Sequence, residues 1–180
     1  MRLFHFSDDP AIGRFVPRAV RVAADRPQGQ EWLNDPLVWA IAEERQYMYL
    51  FPRDCPRILL WATPKTTTAD GERWLEGKRS RPLAYVERGW LERLQAAAIV
   101  RYELPNATFH DTHDAGMWVS RDVVSPIDKV TLTDLPARLA ESGAELRVVD
   151  SLLPWKGVWS SSVHASGIRL RNALGWSGSG

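Results

Sequence analysis

The sequence predicts an α+β fold, a single domain over residues 1–176 built on a curved or split, mainly antiparallel sheet flanked by helices. Three observations lead there. Short apolar runs recur along the 180-residue chain and are stopped by Pro, Gly, Asn and Asp, as strands are. Only two or three stretches carry helical spacing, and they do not alternate regularly with the strands, which argues against a doubly wound parallel sheet. At 44% hydrophobic and 25% charged residues, the chain has a globular composition and enough length to bury a core.

The elements follow in order. Arg2-Leu-Phe-His-Phe6 reads as a buried strand stopped by Ser-Asp-Asp-Pro. Residues 15–36, rich in Pro, Arg, Asp and Gln, form a long connection of the functional or mobile kind. Leu37–Ile41 is the second strand. Glu43–Phe51 suits a short helix closed by Pro52, although Tyr47–Phe51 also suits a strand. Arg57–Trp61, between Pro56 and Pro64, is the third strand. A polar insertion over 64–82, with one helical turn around Glu72–Leu75, precedes a strand at Leu83–Val86. Arg88–Ala98 places Trp90, Leu91 and Leu94 on one helical face. Ile99–Leu104, Met117–Ser120 and Ile127–Leu132 read as strands. Asp134–Ser142 is an amphipathic helix with Pro136 in its first turn and Gly143 past its end. Glu145–Val149 is the last strand of the main body, residues 151–176 are a Trp- and Ser-bearing tail, and Ser177-Gly-Ser-Gly180 reads as a linker.

Composition narrows the function. Basic and acidic residues number 23 and 22, so the net charge of +1 gives no global attraction to nucleic acid or membrane. One cysteine excludes a disulfide framework and a cysteine-based zinc site. No apolar run is long enough to span a bilayer, and the first residues lack the apolar stretch of a signal peptide. The expectation is a cytoplasmic protein without a membrane partner. Only four of the basic residues are lysine, and arginine grips phosphate or carboxylate better. The nine tryptophans add rings on which a nucleotide base can stack. Neither a glycine-rich phosphate loop nor a Gly-x-Ser-x-Gly elbow is present, which disfavours Rossmann, P-loop and serine-hydrolase readings.

Candidate chemistry gathers in four places. Strand alternation puts His5 on the face opposite Phe4 and Phe6 with Ser7 on its own side, a pair suited to a ribose or amide; the competing reading is a histidine satisfied by a backbone carbonyl. Arg53, Asp54 and Arg57 surround Cys55, where a lowered thiol pKa would need the arginines to face it. His110-Asp-Thr-His-Asp114 holds metal-capable side chains but shows no further ligands, and no metal is expected. Arg169 and Arg171, alternating with Ile168 and Leu170, would share one strand face and meet an anion.

Leu3-Phe-His-Phe-Ser7, Leu37-Val-Trp-Ala-Ile41 and Met117-Trp-Val-Ser120, with Val124-Ser-Pro126 behind, resemble the strand order of ADP-ribosyltransferase-like domains. Along most of its length the chain also resembles a bacterial family of unknown function, through Tyr49–Arg57, Arg101–Pro105 and Ile168–Asn172. The first resemblance implies an ADP-ribosyltransferase-like fold and a domain that binds NAD or a related nucleotide, with possible transfer of ADP-ribose to an unknown acceptor. His5 and Glu103 would be catalytic, Glu103 being the acid by type and Asp122 an alternative by position. His5, Ser7, Arg14, Trp39, Tyr49 and Arg53 would bind the cofactor, the aromatics walling nicotinamide and the arginines holding pyrophosphate. The alternative is a non-enzymatic module that binds nucleic acid or a protein partner through its Arg- and Trp-rich surface.

Overall fold

A computed structural model describes residues 1–20, 23, 26 and 28–176. The expected linker at 177–180 and part of the long connection at 15–36 lie outside the described residues. In chain order the strands are β1 (Leu3–Ser7), β2 (Val38–Ala42), β3 (Arg57–Trp61), β4 (Leu83–Glu87), β5 (Ile99–Leu104), β6 (His110–Asp111), β7 (Met117–Ser120), β8 (Asp128–Leu132), β9 (Glu145–Val149) and β10 (His164–Ile168). The α-helices are α1 (Thr68–Leu75), α2 (Leu91–Ala96) and α3 (Leu135–Glu141). The fold is α+β and mainly antiparallel, as expected. Its contacts group into two compact units, Met1–Gln46 with Ile99–Leu132 and Tyr47–Ala98 with Thr133–Gly180.

The first unit is a six-stranded sheet in the order β6-β7-β2-β1-β5-β8, antiparallel throughout. Side chains alternate across it. One face carries Leu3, Val38, Ala40, Ala42, Val100, Tyr102 and Leu104, packed with Phe15, Phe109 and Val124. Phe15 reaches this core through an isolated bridge in which Phe15 and Val124 exchange backbone hydrogen bonds of 2.8 and 2.9 Å. At the opposite surface Trp39 packs on Leu33, Leu37 and Val119.

The second unit holds the four-stranded sheet β10-β3-β4-β9, in which only β4 and β9 run parallel. Every residue of β3 and β4 is buried, in keeping with their near-continuous apolar sequence. Ile58, Leu60, Leu83 and Tyr85 form a core with Leu75, Leu152, Val158 and Val163. The residues read as a tail therefore build this unit: a 3-10 helix over Leu153–Ser160, the edge strand β10 and a 3-10 turn over Leu170–Asn172. β10 ends at Ile168 and Arg169 turns left-handed (φ 56°), so Arg169 and Arg171 do not alternate along a strand. Residues 43–49 are a 3-10 helix, resolving the helix-or-strand ambiguity. The helix expected over 88–98 is a 3-10 turn at Arg88–Trp90 followed by α2, and only Leu94 on α2 is buried.

α1 spans eight residues rather than one turn. Thr67 caps it by accepting from the Asp70 N–H (3.2 Å). The Asp70 carboxylate in turn accepts from the Ser162 hydroxyl (2.5 Å) and N–H (2.8 Å), tying α1 to the segment before β10. Those bonds hold the Asp70 carboxyl below its ordinary range. α3 matches its expected pattern, with Leu135 and Leu139 fully buried and Asp134 capping through the Ala137 N–H.

Candidate functional site

His5 occupies the point where β1 and β2 part. β1 pairs with β5 through all five of its residues, but with β2 only through Leu3 and Phe4. One residue on, the His5 imidazole takes over, its Nδ1 lying 2.9 Å from the Trp39 carbonyl oxygen. A carbonyl only accepts, so Nδ1 carries the proton and Nε2 is the acceptor of the neutral ring. A backbone carbonyl thus satisfies one nitrogen of His5.

Phe15 lies beside the imidazole, with ring centroids 4.6 Å apart, and meets Tyr102 edge-on at 5.4 Å. The Tyr102 hydroxyl donates to the Asp9 carbonyl (2.7 Å) and accepts from the Ile12 N–H (3.2 Å). Ser7 accepts from the Asp9 N–H (3.1 Å), and Lys129 donates to the Pro10 carbonyl (2.7 Å). Residues 8–15 are thereby folded back over the His5 face, with Arg14 exposed beside the buried Phe15. Among the described residues Arg14 forms no ion pair or cation–π contact.

Glu103 does not share this face. It stands opposite Phe4 on β1, whereas Tyr102 stands opposite His5, so imidazole and carboxylate emerge on opposite sides of the sheet. Arg2 grips Glu103 bidentately (Nε–Oε1 3.0 Å, Nη2–Oε2 2.6 Å) and also bonds Glu43 at 2.9 Å. The Arg2 guanidinium holds the Glu103 carboxyl below the usual range. The structure does not bring His5 and Glu103 together as an acid–base pair. Asp122, the acid by position, is exposed, with its N–H on the Ser120 hydroxyl (3.1 Å).

Trp39 supplies its carbonyl to His5, but its ring lies on the other face with Arg26 above it at 5.8 Å. Tyr49 and Arg53 belong to the second unit. There Tyr49 lies 5.6 Å from the Arg57 guanidinium, and Arg53 is exposed while its carbonyl accepts from Arg169 Nε (3.2 Å). Of the residues expected to bind the nucleotide, His5, Ser7 and Arg14 therefore gather around β1. Phe15 and Tyr102 were missed. Tyr102 was legible as an alternating residue of β5, whereas Phe15 sits in a stretch with no strand pattern.

Cys55 is fully buried, and desolvation pushes its thiol up to about 11 despite the opposing charge of Arg57. A nucleophilic thiolate is disfavoured there. In the His110–Asp114 loop, Asp111 accepts from the His113 N–H (2.8 Å), and among the described residues no three metal-ligating side chains are grouped for an ion.

The segments singled out in the sequence do meet in space: Arg169 bonds the Arg53 carbonyl and Asn172 Nδ2 the Asp54 carbonyl (2.8 Å), joining 49–57 to 168–172. A family profile covers the chain from residue 4 to residue 173, across both units. The chain belongs to DUF6886, a family of unknown function. No curated protein and no solved structure matches it. In this DUF6886 member no helix among the described residues is long and apolar enough to cross a membrane.

Proposed function

We propose that this protein binds NAD or a related nucleotide at the far end of β1, within an ADP-ribosyltransferase-like domain. The observation that carries the reading is the His5 imidazole bridging the parting of β1 and β2. With Nδ1 donating to a backbone carbonyl, Nε2 is the acceptor nitrogen of that tautomer, the type of group that meets a ribose hydroxyl or amide N–H. Phe15 offers a ring beside it, the Ser7 hydroxyl lies two residues along the same face, and Arg14 supplies a cation for a pyrophosphate.

The reading is one of binding. Transfer of ADP-ribose requires stabilisation of an oxocarbenium-like centre, and Glu103 on the opposite face, held by Arg2, is not the group that supplies it. Calorimetric titration with NAD and with ADP-ribose tests the proposal. Binding of either, weakened about three- to tenfold in His5→Asn, supports it; a folded protein that takes up neither at millimolar concentration refutes it.

The nucleic-acid module has weaker support. Several exposed or half-exposed tryptophans already lie against cations of this chain, Trp32 with Arg121 (5.6 Å), Trp90 with Arg93 (5.0 Å) and Trp74 with Arg73 (4.9 Å). A base would have to displace those contacts in order to stack.

A further inference from the structure

We propose that the arginine-rich corner of the second unit, where residues 53–57 meet residues 169–172, binds a phosphoryl or pyrophosphoryl group. The Arg169–Arg53 and Asn172–Asp54 side chain-to-backbone bonds hold residues 53–54 against residues 169–172, which gathers Arg53, Arg169 and Arg171 on adjoining backbone, with Arg57 near enough to feel the Arg169 charge. Asp54 is the carboxylate there, 4.0 Å from Arg169 and itself largely exposed. Among the described residues Arg53 and Arg171 have no carboxylate within ion-pair distance, and both are exposed.

Arg57, close enough to Arg169 to feel its charge, is only 3% exposed. Its guanidinium donates through Nε to the Met48 carbonyl (2.9 Å) and through Nη1 to the Cys55 carbonyl (3.1 Å). Phe51 and Tyr49 lie against it at 4.8 and 5.6 Å. Carbonyl dipoles and aromatic faces soften its desolvation, but among the described residues no carboxylate pairs with it. The buried acid of this unit, Glu87, is one residue past Val86, the cross-strand partner of Arg57, and so projects from the opposite face of the sheet. Glu87 spends its oxygens on the N–H groups of Leu152 (3.3 Å) and Leu174 (3.0 Å).

A buried cation that stays protonated is costly without an anion. Burial lowers the Arg57 pKa to about 10, and the nearby charge of Arg169 presses the same way, yet the group remains a cation at neutral pH. A phosphoryl group seated on the corner answers both needs. The exposed forks of Arg53 and Arg171 match its oxygens bidentately, and the buried charge of Arg57 adds attraction from a region of low dielectric. This site does not depend on the nucleotide reading of β1.

The test is calorimetric titration of the full chain with inorganic pyrophosphate, with thermal melting to establish that each variant is folded. The expected result is saturable binding, weakened about tenfold or more in the Arg53→Ala/Arg171→Ala double variant. Binding should tighten in Asp54→Asn, which removes the competing carboxylate, and persist in His5→Asn. A folded wild type that does not bind pyrophosphate at millimolar concentration overturns the proposal. So does binding that survives the double arginine variant unchanged, or that disappears in His5→Asn, which would place the anion at β1 instead.

Discussion

Replacing His5 by asparagine, glutamine and alanine separates its two nitrogens. An asparagine amide sits near the position of imidazole Nδ1, so His5→Asn retains a donor for the Trp39 carbonyl while losing Nε2. Glutamine approximates Nε2 and gives up the Nδ1 bond. Losing that bond costs about 0.5–1.5 kcal/mol, and losing the ring contact with Phe15 brings His5→Ala to about 1–3 kcal/mol. His5→Asn should stay within about 1 kcal/mol of wild type in chemical denaturation. In nucleotide titration the order reverses: His5→Asn should weaken NAD by about three- to tenfold, the worth of one neutral hydrogen bond. If His5→Asn is destabilised as much as His5→Ala, the Nδ1 bond does not hold the β1–β2 junction. If it binds NAD like wild type, Nε2 does not touch the ligand.

Four further outcomes follow from the same geometry. Glu87→Ala orphans the buried N–H of Leu152 and releases the part-buried N–H of Leu174, and should cost about 1–3 kcal/mol, with loss of hydrogen-exchange protection at Leu152 and Leu174; protection equal to wild type would contradict the clamp. Glu103→Gln breaks a partly exposed ion pair and should cost no more than about 1 kcal/mol while leaving NAD affinity unchanged; a large loss of affinity would return Glu103 to the site. Cys55 should resist thiol reagents in the native state at pH 8, and because its folded pKa is raised, its contribution to stability is complete below about pH 9 and lost as pH rises towards 11. Asp70 has the opposite sign: its lowered pKa gives stability above its unfolded value near 3.8 that is lost on further acidification, and Ser162→Ala should flatten that part of the acid-denaturation profile.

The strands were legible wherever apolar runs ended in strong stop signals. Arg2–Phe6 before Ser-Asp-Asp-Pro, observed as Leu3–Ser7, and Arg57–Trp61 between prolines agree with the structure to within a residue. α3 carried its cap, its Pro and its terminal Gly in the sequence. α1 was underread because Gly71 and a run of threonines mask its spacing, although Thr67 and Asp70 form the Thr-x-x-Asp pattern of a helix start. β10 does not announce itself as a strand, because His164-Ala-Ser-Gly-Ile168 is weakly apolar and its partner strand, β3, is distant in sequence.

The candidate site was legible in part, and for a specific reason. Alternation along one strand puts His5 and Ser7 on one face and Phe4 on the other, as the β1–β5 pairing shows. Relating His5 to Glu103 required the register between β1 and β5, which turn chemistry cannot set for strands so far apart in the chain. A shift of one residue would have placed the two on the same face. Arg57 carried a usable signal, since an arginine opening a strand buried along its whole length has to be accommodated by carbonyls, rings or an anion.

The most direct measurement is nitrogen-resolved NMR of the imidazoles, with the His5 signals assigned from the His5→Asn variant. In the free protein His5 should be the Nδ1–H tautomer, and saturating NAD should shift its Nε2 resonance while Nδ1 stays bonded to the Trp39 carbonyl. An Nε2–H tautomer, or an Nε2 resonance that does not move at saturating NAD, would contradict the account.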